Sequence, residues 1–166
     1  MSVWVYTFSM SILPRAVPAA NPKTKDTRTI AVFYAGILVL LAVTQLFTFD
    51  DFLKLFSSFE LPGSAQFTHL LAAILVAAEV FAIPFLLRIA LSPAFRWFSM
   101  FLGWVVAAIW MYVTIFLYAT HSLINNVGFL GTVVKVMPSW WAILLSIAFA
   151  IFAVWASWGM WPRRTR

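Results

Sequence analysis

The sequence predicts an all-α membrane protein, a four-transmembrane-helix bundle with a short interfacial helix after the first span. Three observations carry that prediction. Of 166 residues, 64% are hydrophobic and 10% charged, so the chain lacks the polar side chains to cover itself in water. Four apolar stretches, at about 29–49, 67–87, 93–120 and 139–161, reach the ~20 residues that a helix needs to cross hydrocarbon. Backbone groups in lipid must be bonded internally, and these stretches lack the shorter alternating pattern of a barrel strand.

The basic residues set the expected orientation. Arg15, Lys23, Lys25 and Arg28 precede the first span, Arg88 and Arg96 lie between the second and third, and Arg163, Arg164 and Arg166 follow the fourth, nine of 11 in all. Lys54 and Lys135 occupy the two other loops, where Asp50, Asp51 and Glu60 also fall. The positive-inside rule therefore places both termini in the cytoplasm, and the expected location is the cytoplasmic (inner) membrane. A basic surface at that leaflet follows from topology and anionic lipid, so the net charge of +6 gives no reason to invoke nucleic acid. There is no cysteine, which excludes disulfides, thiolate catalysis and cysteine metal sites.

In chain order, residues 1–28 form an N-terminal segment and a proline-rich linker. Met1 to Leu13 is apolar but too short to span, has no preceding basic residue of a signal peptide, and reads as an extended segment or an interfacial helix. Pro14, Pro18 and Pro22 make 14–25 non-helical. The first span ends with Thr44 and Gln45. Asp50 or Asp51 then caps a short amphipathic helix in which Phe52, Phe56 and Phe59 share a face, lying on the outer interface and stopped by Pro62 and Gly63.

Ser64 is a candidate cap for the second span, FTHLLAAILVAAEVFAIPFLLR, whose Pro84 removes a backbone bond near its end. Ser92 followed by Pro93 is a specific start signal for the third. There Gly103 and Ala107 form a pair of small residues suited to close packing. The tryptophans and tyrosines of the third and fourth spans, Trp110 among them, read as interface anchors, and Ser146 and Ser157 as bonded back to their own helix. Residues 162–166 form a basic cytoplasmic tail.

Glu79 is the main candidate functional residue. A carboxyl within a span costs roughly 2.5 to 3.5 kcal/mol at the helix centre, so it should face protein or water. Thr68, Ala72 and Leu86 project within about 20° of it, with Ala82 nearby, and this mostly small face predicts a buried seam. Tyr34, Thr44, Gln45 and Thr114 are the candidate partners. With them Glu79 either ties helices together or serves as a proton or ligand site. His69, with His121 and the nearby acids, could join an outer quinone-head or metal site, but no spacing demands a metal. It lies ten residues from Glu79, about 15 Å along a helix.

The loop HSLINNVGFLGTVVKVMPSWWAILL, the run QLFTFDDFLKLFSSFELPG and the AEVFAIPFLLR of span two resemble the DoxX/MauE group of four-span, redox-associated membrane proteins. Members of that group often carry two cysteines in a glycine-containing turn before the fourth span. Here the matching run is Asn126 to Gly131, with Val127 and Phe129 at the cysteine positions, so dithiol exchange is lost. The resemblance implies a four-helix scaffold, with a quinone or lipid groove, acting beside another protein. Asn126, Gly128 and Gly131 would shape the turn. The expected function is a non-enzymatic accessory or assembly subunit that meets other membrane subunits, or further copies of itself, through Phe- and Trp-rich faces. The alternatives are a quinone-binding subunit of an oxidoreductase and a small proton-coupled transporter using Glu79. No cofactor is expected beyond that quinone or lipid.

Overall fold

The computed structural model describes Ala16, residues 21–120 and residues 123–161. The readings made for Met1 to Leu13, His121 and the basic tail lie outside these residues. Among the described residues the chain forms five helices, α1 Lys25–Phe47, α2 Phe49–Ser57, α3 Ala65–Leu86, α4 Pro93–Ala119 and α5 Trp140–Gly159. All but α2 are long and apolar enough to cross a membrane, and the protein is a multi-pass membrane protein.

Local chemistry sets most of the boundaries. Ser64 Oγ accepts from Phe67 N at 3.3 Å, and Ser92 Oγ accepts from Phe95 N at 3.3 Å with Pro93 at the first helical position. Both starts fall where the sequence places them. The first span begins earlier than expected, at Lys25, because Thr24 Oγ1 accepts from Thr27 N at 3.2 Å and satisfies that end of the helix. Its first turns thus carry Lys25 and Arg28, so the helix takes in the end of the expected linker.

The short helix needs a larger correction. It starts after Thr48, and Asp50 and Asp51 sit in its first turn rather than at the cap, where the positive helix end favours them. It ends at Ser57, short of Pro62, because Glu60 turns into the left-handed region at φ 51° and sends Phe59 and Leu61 back into the protein. Phe52, Phe56 and Phe59 are buried, with Phe56 at 6.2 Å from the Trp110 ring. The apolar face of α2 is therefore turned down onto the bundle.

Each of α1 and α4 packs beside both α3 and α5, so the four spans form a ring with α1 and α4 on one diagonal. Tyr34 bridges that diagonal, donating its hydroxyl to Gly103 O at 3.0 Å. The predicted face of α3 is buried throughout, at Thr68, Ala72, Glu79, Ala82 and Leu86, and Gly103 and Ala107 are buried opposite. With lipid outside, this packing is held by van der Waals contact between small residues and by interhelical hydrogen bonds rather than by exclusion of water.

Pro84 has a specific complement. Ser99 Oγ from α4 accepts from Phe85 N at 3.0 Å and donates to Phe81 O at 2.6 Å, standing between a donor and an acceptor that an unbroken helix would join directly. At the same end, Lys23 N donates to Gly159 O at 3.1 Å and the side chain of Thr27 fills the space beside Gly159, where a Cβ would collide with it. This end gathers Lys23, Lys25, Arg28, Arg88 and Arg96, with Arg88 Nη2 donating to Asn21 Oδ1 at 3.1 Å. Asp50, Asp51, Lys54, Glu60 and Lys135 lie at the other end.

Candidate functional site

Glu79 sits at the centre of the bundle with no exposed surface. Helix α3 delivers it, and its neighbours come from three other parts of the chain. Gln45 Nε2 of α1 donates to Glu79 Oε1 at 3.2 Å, and Trp110 Nε1 of α4 donates to the same oxygen at 3.1 Å. Gln45 Nε2 also donates to the carbonyl of Phe129, in the loop between α4 and α5, at 2.9 Å. A single carboxylate oxygen thus collects two neutral donors. Glu79 Oε2 and Gln45 Oε1 are buried without a hydrogen-bond partner. Both are acceptors, so the cluster holds more lone pairs than donors.

The loop closes the site from above. Asn126 Oδ1 accepts from Gly128 N at 3.0 Å and Val136 N at 3.1 Å, while its Nδ2 donates to Gly131 O at 2.9 Å. These bonds fold 126–131 into a tight turn, with Gly128 at φ 92° and Gly131 at φ 58°. Gly131 lies against the end of α1, where a Cβ would come within 2.7 Å of Thr48 Oγ1 and 3.0 Å of Thr44 O. Thr132 N donates to Thr48 Oγ1 at 3.3 Å and fixes the turn there. The turn pushes Phe129 into the bundle, its ring 4.5 Å from that of Trp110 and perpendicular to Phe149 at 5.8 Å. Val127 and Phe129 are both buried. Asn125, by contrast, is exposed.

The remaining candidates divide. Gln45 joins Glu79. Tyr34 is buried but gives its hydroxyl to Gly103 O. Thr44 bonds back to Leu40 O and Leu41 O, and Thr114 to Trp110 O and to Ser146 Oγ at 3.1 Å. His69 is exposed and hydrogen-bonded to Ser57 Oγ at 2.7 Å, so the structure does not bring it to Glu79. Ser146 and Ser157 do bond back to their own helix, at Ala142 O and Val154 O. Among the described residues no group of three or more His, Asp or Glu is placed to hold a metal.

Two members of the cluster escape a reading of the sequence. Trp110 is wholly buried rather than an interface anchor. Its spacing does contain a signal, because Gly103, Ala107 and Trp110 stand at i, i+4 and i+7 and so continue one helix face. Phe129 has none, since its position is set by the turn and not by a helical period.

The class defined by fold and site is a helical multi-pass membrane protein whose buried carboxyl is sealed beneath a loop. Comparison with known family models, curated proteins and solved structures gives no significant match.

Proposed function

We propose that the chain is a non-enzymatic accessory or assembly subunit of a larger membrane complex, with the scaffold of the DoxX/MauE group and without its redox cysteines. The reading sets it in the cytoplasmic membrane with both termini inward, as the sorting of basic residues along the chain supports. The observation that carries it is the closure of the carboxyl buried in the interior of the bundle. Gln45, Trp110 and Phe129 surround Glu79 and leave it no exposed surface, an arrangement suited to joining α1, α3, α4 and the loop into one rigid body. The outward faces of the spans remain rich in large apolar side chains, including Phe33, Phe101, Trp141 and Trp158, which suit lipid and neighbouring helices. Purification from native membranes in mild detergent should recover other subunits at fixed stoichiometry. A lone monodisperse chain in several detergents would overturn the reading, and a C-terminal reporter found outside the cell would overturn the orientation.

One observation favours a second reading, in which Glu79 exchanges a proton or meets the head of a quinone in its reduced quinol form, whose hydroxyls donate. Glu79 Oε2 and Gln45 Oε1 are adjoining residues' buried acceptors that no protein donor serves, and a proton or a donor group would complete them. On this reading Glu79→Ala removes co-purified quinone, or abolishes proton-coupled flux in proteoliposomes. Flux or quinone content unchanged in both Glu79→Ala and Glu79→Gln would remove it.

A further inference from the structure

The outward face of α5 carries a shallow apolar groove of ≈ 570 Å³, lined by Ile147, Ala150, Ile151, Val154, Trp155 and Trp158. Positions i, i+3, i+4, i+7, i+8 and i+11 form a continuous stripe along one side of a helix. Eleven residue steps cover about 16 Å, close to half of the ~30 Å hydrocarbon thickness. The stripe therefore follows a single leaflet, from the middle of the membrane to the end of α5.

The groove finishes in charge. Lys23 is exposed, and its ammonium stands 5.1 Å from the centroid of the Trp158 ring. That cation–π contact holds the charge at the mouth of the groove and leaves ammonium donors facing solvent. Lys25, Arg28, Arg88 and Arg96 occupy the same end of the bundle, with Asp26 the one acidic side chain there among the described residues. A basic group at the mouth of a shallow apolar groove about one leaflet long, with further basic groups at the same end of the bundle, matches an acyl chain and a phosphate on one molecule.

We propose that this groove is a binding site for an anionic glycerophospholipid, with one acyl chain along Ile147 to Trp158 and the headgroup phosphate at Lys23. The assignment depends on the chain's residence in a membrane and not on its acting as an accessory subunit.

The test reconstitutes the full-length protein in nanodiscs of phosphatidylcholine and phosphatidylglycerol and counts retained lipids by native mass spectrometry after release. The wild-type protein should retain phosphatidylglycerol in preference to phosphatidylcholine by about fivefold, the strength of one lysine's attraction to an anionic surface. Lys23→Glu should abolish that preference. Val154→Trp, which fills the exposed groove and leaves Lys23 in place, should lower retention of both lipids, and Lys54→Glu at the opposite end should change neither. Equal retention of the two lipids by the wild-type protein overturns the proposal without recourse to a variant. So does retention unaltered in both Lys23→Glu and Val154→Trp, or a lipid-free dimer cross-linked through Ile151, which would give the groove to a second copy.

Discussion

Two of the polar sites in the apolar interior, at Pro84 and at Glu79, are completed in different ways. Beside Pro84, Ser99 meets one donor, the Phe85 N–H, and one acceptor, the Phe81 carbonyl, through a single hydroxyl. At Glu79 two donors meet on one oxygen while two further acceptors go unserved. The first site is balanced and belongs to the helix it mends. The second is short of a donor, and a proton on Oε2 or one bridging water would supply it.

Substitution at Glu79 should break this contrast most severely. Glu79→Ala strips Gln45 and Trp110 of their shared acceptor and opens a cavity, with an expected loss of about 3 kcal/mol in unfolding experiments in detergent. Glu79→Gln keeps the shape and brings an amide donor to the starved side, so it should cost less than about 1 kcal/mol. A loss as large as that of Glu79→Ala would show that the site needs the carboxyl itself.

Gly131→Ala comes next, at about 2 kcal/mol, since a Cβ would press on Thr48 and the end of α1 at a positive φ. The absence of cysteine makes the displacement readable. A Phe129→Cys variant should resist a maleimide reagent while the turn is seated and react once Gly131→Ala is added. Ser99→Ala should cost about 1–2 kcal/mol by orphaning the Phe85 N–H. Adding Pro84→Ala should restore part of that loss, because the helix can then close its own bond. Simple additivity of the two would mean that Ser99 and the break are independent.

The smallest effect is expected at the surface. Lys54 donates to Asp51 at 2.9 Å with both side chains exposed, and Lys54→Ala should leave the unfolding midpoint unchanged at physiological salt. The hydrogen bond to Asp51, and then its charge, hold the Lys54 ammonium above the usual lysine range. Whatever the pair contributes is therefore complete at neutral pH and fades only as pH climbs through that raised value. A midpoint that varied between pH 6 and 8 because of Lys54 would contradict this.

What the sequence makes legible is what depends on near neighbours along the chain. Ser64, and Ser92 with Pro93, announce helix starts because the capping bonds span three residues. The buried face around Glu79 follows from helical period alone. Asp50 and Asp51 mislead as caps because acidic residues are also favoured within the first turn that follows the cap. Trp110 is obscured by the frequency with which tryptophan marks a membrane interface. The insertion of Phe129 depends on Gly131 meeting Thr48, a contact between residues far apart in sequence, and no local pattern encodes it.

The loop that covers Glu79 is also the last part of the site to be synthesised. Residues 126–131 are made after α1, α3 and α4, so a nascent chain that has reached Ala119 already holds Glu79, Gln45 and Trp110 but lacks the ring and carbonyl of Phe129. Its interior is still unroofed when its third crossing has left the ribosome.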